Sequence, residues 1–442
     1  MINRQEESSL SLSRRKFVKS SAAAAAGLAF MKGGHFAHAA GSDTIRYGLV
    51  GCGGRGTGAA VNAFNAAEGV VLVAMGDLFE DHLDESKSKL KEQLGDAYQV
   101  SADHEFVGWD AYRHVVDSDV DVVIFATPPV FRPQHVPYAI EKGRHVFMEK
   151  PVAVDPVGAR VFFDVAEEAD RKGLSIVAGT QRRHERQYLE TMQRIQDGAI
   201  GDVVAGQVYW NQGGLWKVDR KAGWSDVEHH VRNWLYYTHI SGDHVVEQHI
   251  HNIDVANWAC GSHPVKATGV GGRQERVSPA YGYIFDHFAV DLEYPNGARI
   301  LSMCRQQENT ARYVGEHIMG TKGTSNAASW IRGENPFRFD GDNPNPYVQE
   351  HTDLIEAIRS GNPINEARRM AETNLSAIMV REAAYTGQEI TWDDILNSTQ
   401  KLTPDAWEFG DAPIFSAATP GQTELNRRPF ESAQMAASDS AG

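Results

Sequence analysis

Short apolar runs separated by polar, helix-permissive stretches dominate the first third of the chain, at Tyr47–Val50, Val70–Met75, Val122–Ala126 and His145–Met148. Strands alternating with helices in this way predict a parallel, doubly wound α/β sheet. After Lys150 the rhythm changes. Helical periodicity over Val157–Lys172 and Arg186–Gln196 gives way to strand-like runs at Val203–Trp210, Val265–Gly272, His287–Tyr294 and Ala298–Gln306, the last two joined by Pro295-Asn296-Gly297 as a hairpin turn. The second part is therefore expected to be an α+β domain with a large, mostly antiparallel open sheet. A late amphipathic helix carries Ala367, Ala371, Leu375, Ile378 and Met379 on one face. From about Thr419 the chain turns polar, with Pro, Gly and Ser, and reads as a disordered tail or an arm laid over a neighbour. No internal repeat is visible.

Ahead of the first strand stands Ser13-Arg14-Arg15-Lys16-Phe17-Val18-Lys19, then an alanine-rich stretch from Ala22 to Phe30, then the small-x-small signal Ala37-His38-Ala39. That order of charged, apolar and small segments reads as a twin-arginine export leader that is cleaved, with a periplasmic or otherwise exported product. Its apolar part is too short and too rich in alanine to stay in a bilayer, and no later run is long enough to span one. The pattern divides the chain into a leader at 1–39, a first domain at 44–165, a second at 166–400 and a tail at 401–442. Residues 1–39 hold six of the 43 basic and two of the 58 acidic side chains, so cleavage takes the formal charge from -15 to -19. So acidic a chain is a poor partner for nucleic acid or an anionic membrane surface. Three cysteines, Cys52, Cys260 and Cys304, permit at most one disulfide and exclude a disulfide scaffold.

Chemistry enters at Gly51-Cys52-Gly53-Gly54-Arg55-Gly56, between a strand and a helix. Gly51 permits a tight turn, Gly53 lets the backbone approach a pyrophosphate, and Gly56 lets the helix pack closely, while the helix N-terminus offers N–H groups to phosphates. The second strand ends at Asp77, about 20 residues past the last glycine, where a carboxylate accepts hydrogen bonds from the adenosine ribose. Such a carboxylate repels a 2′-phosphate and no arginine follows it closely, which predicts a Rossmann domain binding NAD rather than NADP. Glu149-Lys150-Pro151 closes the fourth strand, where open α/β sheets place their ligand crevice. Residue 150 precedes a proline and is pushed out of helical geometry, so its ammonium can enter the crevice and polarise or deprotonate a substrate hydroxyl.

A second constellation is Glu247-Gln248-His249-Ile250-His251-Asn252-Ile253-Asp254. On a helix, positions 247, 251, 254 and 258 share a face, so Glu247, His251 and Asp254 converge while Trp258 packs below. A histidine is the natural proton acceptor near neutral pH, and an adjacent carboxylate fixes its tautomer. The rival reading is a metal held by His244, Glu247, His249 and His251, but no spacing here matches a tight metal motif. Trp210 and Asn211 open an aromatic and amide-rich segment that continues through Trp216, Trp224, Trp234 and Tyr237, a composition suited to a sugar ring and equally to a core or a subunit interface. Gln181, Arg182 and Arg183 follow the strand Ser175–Gly179 and are expected to line the same crevice.

With these motifs the mature chain resembles, over nearly its whole length, the Gfo/Idh/MocA family of NAD(P)-dependent oxidoreductases acting on sugars and cyclitols. The resemblance runs from the loop at Gly51 through Thr127-Pro128-Pro129 and Glu149-Lys150-Pro151 into the second domain. It implies that Lys150 is catalytic, that Thr127, Pro128 and Glu149 join the cofactor site, and that Glu247 to Asp254 match a motif Asp-x-x-x-His-x-x-Asp. His251 then falls on the catalytic histidine, Asp254 on the following acid, Glu247 on the first aspartate, and His249 on a small residue beside the substrate. The resemblance also implies a homo-oligomer, a dimer or tetramer, and hydride transfer on a polyhydroxylated substrate. Export adds that a released NADH cannot be replaced, so the cofactor must stay bound and return to its starting state. Oxidation of one substrate with reduction of another meets this condition, and so does redox-neutral cleavage of a glycoside. A non-catalytic sugar-binding protein is the third reading, but such a protein needs none of the intact glycine loop, Asp77, Lys150 and His251 together.

Overall fold

The structure is a computed structural model describing residues 44–404, 406–412 and 415–426; the leader and the end of the tail lie outside the described residues. The first domain alternates as the pattern predicts: β1 (Ile45–Val50), α1 (Gly54–Ala66), β2 (Val70–Asp77), α2 (Glu80–Leu94), β3 (Glu105–Val107), α3 (Ala111–Asp117), β4 (Val122–Phe125), α4 (Arg132–Glu141), β5 (His145–Met148), α5 (Pro156–Lys172) and β6 (Ile176–Ala178). The six strands pair in parallel in the order β3-β2-β1-β4-β5-β6. Every residue of β4 is buried, because helices cover both faces and the strand must be apolar throughout. The strand order reverses between β1 and β4, so a crevice opens at their carboxyl ends. The sheet runs past the boundary that the change of pattern sets at residue 165, since β6 extends it to Ala178.

The second domain contains α6 (Arg186–Gln196), β7 (Val203–Gln212), α7 (Asp226–Arg232), α8 (Thr238–Ser241), α9 (His244–Glu247), α10 (Ile250–Cys260), β8 (Lys266–Gly272), β9 (His287–Glu293), β10 (Arg299–Gln306), β11 (Tyr313–Gly320), β12 (Gly323–Ser325), β13 (Trp330–Gly333), β14 (Phe337–Arg338), α11 (Pro346–Ser360), α12 (Ala367–Thr386), β15 (Ile390–Thr391) and α13 (Trp392–Leu396). Its nine strands run β14-β13-β12-β11-β7-β10-β9-β8-β15. Only β7 and β10 among them pair in parallel. The β9–β10 hairpin turns at Gly297, which takes the φ of 83° that favours glycine. Alternate residues of β9 are buried, the mark of a sheet with one face on the core.

Three expectations change. The helix at Ala367–Thr386 is buried on nearly every side rather than amphipathic, because it runs between α5, α10 and the strands β8 and β9. The helical face through 247, 251, 254 and 258 does not form, since α9 ends at Glu247 and α10 begins at Ile250. The described residues after 400 pack on their own chain: Leu402 N–H donates to Asp155 Oδ2 (2.7 Å), Trp407 meets the rings of Trp109 and Phe131, and Gly421 N–H reaches the carbonyl of Thr386. All three cysteines are free thiols.

Candidate functional site

The glycine loop shapes one side of a cavity of about 1100 Å³ at the carboxyl ends of β1, β2 and β4. A Cβ on Gly51, whose φ is +94°, would lie 2.6 Å from the amide of Thr127, and one on Gly56 would lie 1.8 Å from the Gly51 carbonyl oxygen. Gly53 and Gly54 face open space, with nothing within 4 Å of such a carbon. Gly53 caps α1 without a side-chain bond, and the first turn carries no acid, so its N–H groups are left for an anion. At the far side of the crevice the Thr127 hydroxyl is buried without a partner, and Pro128 precedes a short 3₁₀ turn. A close-approach loop, a bare helix N-terminus and an orphaned hydroxyl together fit a dinucleotide pyrophosphate.

Asp77 lines this cavity, yet it is already engaged: Oδ2 accepts the Cys52 N–H at 2.6 Å and Oδ1 the Phe79 N–H at 2.9 Å. The carboxylate ties the end of β2 to the glycine loop, with His82 Nδ1 3.5 Å from Oδ1, and a carboxylate retains further acceptor capacity for ribose hydroxyls. Arg55 and Glu149 are spent largely on each other. Their 2.5 Å ion pair, with Glu350 at 2.9 Å from the same guanidinium, links the glycine loop to the end of β5 and to α11. Burial drives the Glu350 carboxyl well above its usual range despite Arg55. Glu149 also presses on Gly179, where a Cβ would come 2.6 Å from its oxygens.

Lys150 reaches from the first domain to the second. Its Nζ donates to the Glu247 carbonyl at 2.5 Å and to Oε1 at 2.8 Å, while Glu247 Oε2 is buried without a partner. His251 stacks on Trp210 with ring centroids 5.6 Å apart, and its Nδ1 is buried and unpartnered. Burial, reinforced by the charges of Lys150 and Arg182, holds the His251 pKa well below the ordinary value, so the ring is neutral at pH 7. Arg182 stands beside Trp210 and pairs with Glu316 at 2.5 Å; Glu316 also accepts bonds from Tyr188 and Asn252. Gln181 donates to the Tyr347 hydroxyl at 3.2 Å, and its own oxygen, like the indole N–H of Trp210, is buried without a partner. Such orphaned groups are where a hydroxylated ligand gains most.

Three side chains that the motifs place at the substrate are elsewhere. His249 is fully buried with Nε2 on Ser302 Oγ (2.9 Å), facing β10 instead of the crevice. Asn211 lies on the opposite face of β7 from Trp210, beside Met303, because strand side chains alternate. Asp254 does not orient His251. Its oxygens take Arg183 at 2.7 Å, Arg369 at 3.0 Å and Thr373 at 3.0 Å, and although burial opposes ionisation, the two guanidiniums hold its pKa well below the carboxylate range. Arg183, read beside Gln181 and Arg182 as lining the crevice, is instead spent on Asp254, while no local spacing in the sequence marks Arg369 or Glu316. His244 packs on Phe288, and among the described residues no three His, Cys, Asp or Glu side chains converge as metal ligands. Trp216 and Trp234, whose segment suits a sugar ring, a core or a subunit interface equally, line the dinucleotide cavity.

Comparison with known proteins agrees with this division. Residues 45–177 match the oxidoreductase family NAD-binding Rossmann fold, and residues 188–326 match the GFO/IDH/MocA C-terminal domain. Curated relatives include a 2,7-anhydro-N-acetylneuraminate hydratase of Escherichia coli, 26% identical over 46% of this chain and 50% of that protein. Another is a glycosyl hydrolase family 109 protein of Shewanella pealeana, 29% identical over 58% of this chain and 54% of that protein. The chain thus spans about half the length of these relatives. In fold it is similar to scyllo-inositol dehydrogenase from Lactobacillus casei with bound NAD(H) and scyllo-inositol, with a TM-score of 0.61 at 20% identity over 79% of this chain and 99% of that one. An aldose-aldose oxidoreductase from Caulobacter crescentus aligns with the same TM-score at 19% identity over 79% and 99%. With a nucleotide cradle in one half, a lysine and a histidine brought together across the two, and both halves matching domains of one family, the chain belongs to the Gfo/Idh/MocA oxidoreductases.

Proposed function

We propose that this protein is a nicotinamide-dependent oxidoreductase that moves a hydride to and from a ring carbon of a sugar, cyclitol or related polyol, with NAD as a tightly held cofactor. The reading rests on the 2.8 Å contact of Lys150 with Glu247 at the carboxyl end of β5, beside a neutral His251. When bound, the nicotinamide supplies the hydride acceptor. His251, neutral because buried, takes the substrate hydroxyl proton. Lys150 stabilises the developing alkoxide through a charge-assisted hydrogen bond, and Glu247 holds the ammonium in place. Asp77 supports NAD over NADP, since a carboxylate at the end of β2 repels a 2′-phosphate. Lys150→Met should lower turnover at least about 100-fold and leave the bound nucleotide content unchanged. Near-normal turnover by that variant would refute the assignment.

A second reading, redox-neutral cleavage of a glycoside, is favoured by the names of the hydratase and glycosyl hydrolase relatives. Products formed by the purified protein without added NAD distinguish the two. Paired oxidation and reduction gives two products of opposite redox change, whereas cleavage gives hydrolysis with no net change. Export through the twin-arginine route and assembly into a homo-oligomer belong to the same proposal, because an enzyme outside the cytoplasm has no supply of fresh NAD.

A further inference from the structure

The dinucleotide cavity has an outer wall that neither the glycine loop nor the strand ends provide. Trp216, Arg232 and Trp234, from the segment around α7, form one part of it, and Lys401, Thr403 and Trp407, from the segment after α13, form the other. The two parts are joined, for the Val227 N–H donates to the Gly410 carbonyl at 3.1 Å. Val227, Val231 and Leu402 share an apolar cluster with Phe79 and Phe131 of the first domain, and Trp407 meets Phe131 and Trp109 with centroids 5.1 and 6.1 Å away.

Each part is also bolted down at its edge. The Arg232 guanidinium lies 3.8 Å over the Phe79 ring and pairs with Asp81 at 2.9 Å and Glu228 at 3.0 Å. Arg160 of α5 donates to the carbonyls of Leu396 and Ser398, and Asp155 takes the Leu402 N–H. Phe79 follows Asp77 by two residues, so this wall stands over the adenosine end of the cavity. The segment 401–412 lies beyond both stretches that match the family's domains.

We propose that these two segments form a fixed cover over the adenosine half of the dinucleotide, and that Trp216 and Trp407 thereby keep the cofactor in place between turnovers. The proposal rests on the nucleotide-binding reading above. Release then requires the aromatic cluster to undock, a local unfolding step that is slower than diffusion out of an open crevice.

The test uses the purified full-length protein loaded with NADH and chased with excess NAD, following loss of the bound-nicotinamide fluorescence. Trp407→Ala and Trp216→Ala should each release NADH at least tenfold faster than the unaltered protein. Trp216 is 49% exposed, so its removal leaves the core intact and keeps the test valid should Trp407→Ala fail to fold. Equal release rates for the unaltered protein and the Trp216 variant would overturn the cover. An unaltered protein that carries no nucleotide when purified and takes up no NADH would instead overturn the nucleotide-binding reading on which the cover depends.

Discussion

His251 shows how far a residue's surroundings can depart from its neighbours in sequence. Its ring is buried against Trp210 and feels Lys150 before any carboxylate, so the proton leaves it far more readily than from a free imidazole. A depressed pKa means that the basic form persists on the acid side of 6.5. The pH profile of kcat/KM should therefore show no ionisation of this ring between pH 6 and 7, and His251→Asn should lower kcat by about 100-fold or more. An acid limb in that interval that vanished in the variant would contradict the assignment. Lys150, Glu247 and His251 were legible because each sits in a compact motif. Their partnerships were not: Lys150 and Glu247 are 97 positions apart, and Asp254 finds Arg183 and Arg369 at separations of 71 and 115. That distance is why Asp254 reads as the tutor of His251 in sequence and is an ion-cluster centre in space.

Among elements, the glycine loop with α1 behaves most nearly as its spacing predicts, and its glycines are not equivalent. Gly56→Ala drives a methyl into the Gly51 carbonyl, so the loop must open; the variant should lose nucleotide binding and about 1–3 kcal/mol of stability. Gly53→Ala meets nothing in the protein itself, so it should melt within about 1 °C of the unaltered chain and yet bind NAD at least tenfold more weakly. Thermal melting together with nucleotide titration separates the two, and a Gly53 variant with undiminished affinity would place the pyrophosphate elsewhere. The strands β7 to β10 were readable from the sequence, whereas β11 was not, nor were β12 and β13, which are short and bounded by Gly323 and Gly333. The break at Gln248–His249 escaped notice because neither residue is a helix breaker. The periodicity of α12 understated its burial, since its Ser, Thr, Asn, Arg and Glu side chains are also enclosed.

At the scale of the whole molecule, acid should be the weak direction. Burial depresses both His135 and His249 to about 3, while His184, despite burial, is raised to about 10 by Asp353 and Glu366. Below pH 6.5 the unfolded chain protonates His135 and His249 and the native chain does not, so each costs about 1.4 kcal/mol of stability per pH unit until pH 3. His184 acts oppositely: its contribution is whole below 6.5 and lost as pH rises toward 10. The melting temperature should fall by about 5 °C between pH 7 and pH 5, and a flat or rising trend would show that these rings are not held neutral. The two-domain plan was legible from the change of rhythm after Lys150, but the inward course of residues 406–412 was not, because their aromatic contacts are with Phe79, Trp109 and Phe131, far away in the sequence. The bond from Val227 to Gly410 has a consequence for how the molecule is born. A ribosome completes the phosphate cradle long before it reaches Gly410, so if the cover forms as proposed, a nascent chain passes through an interval with its doorway open, before the last part of the wall exists to dock.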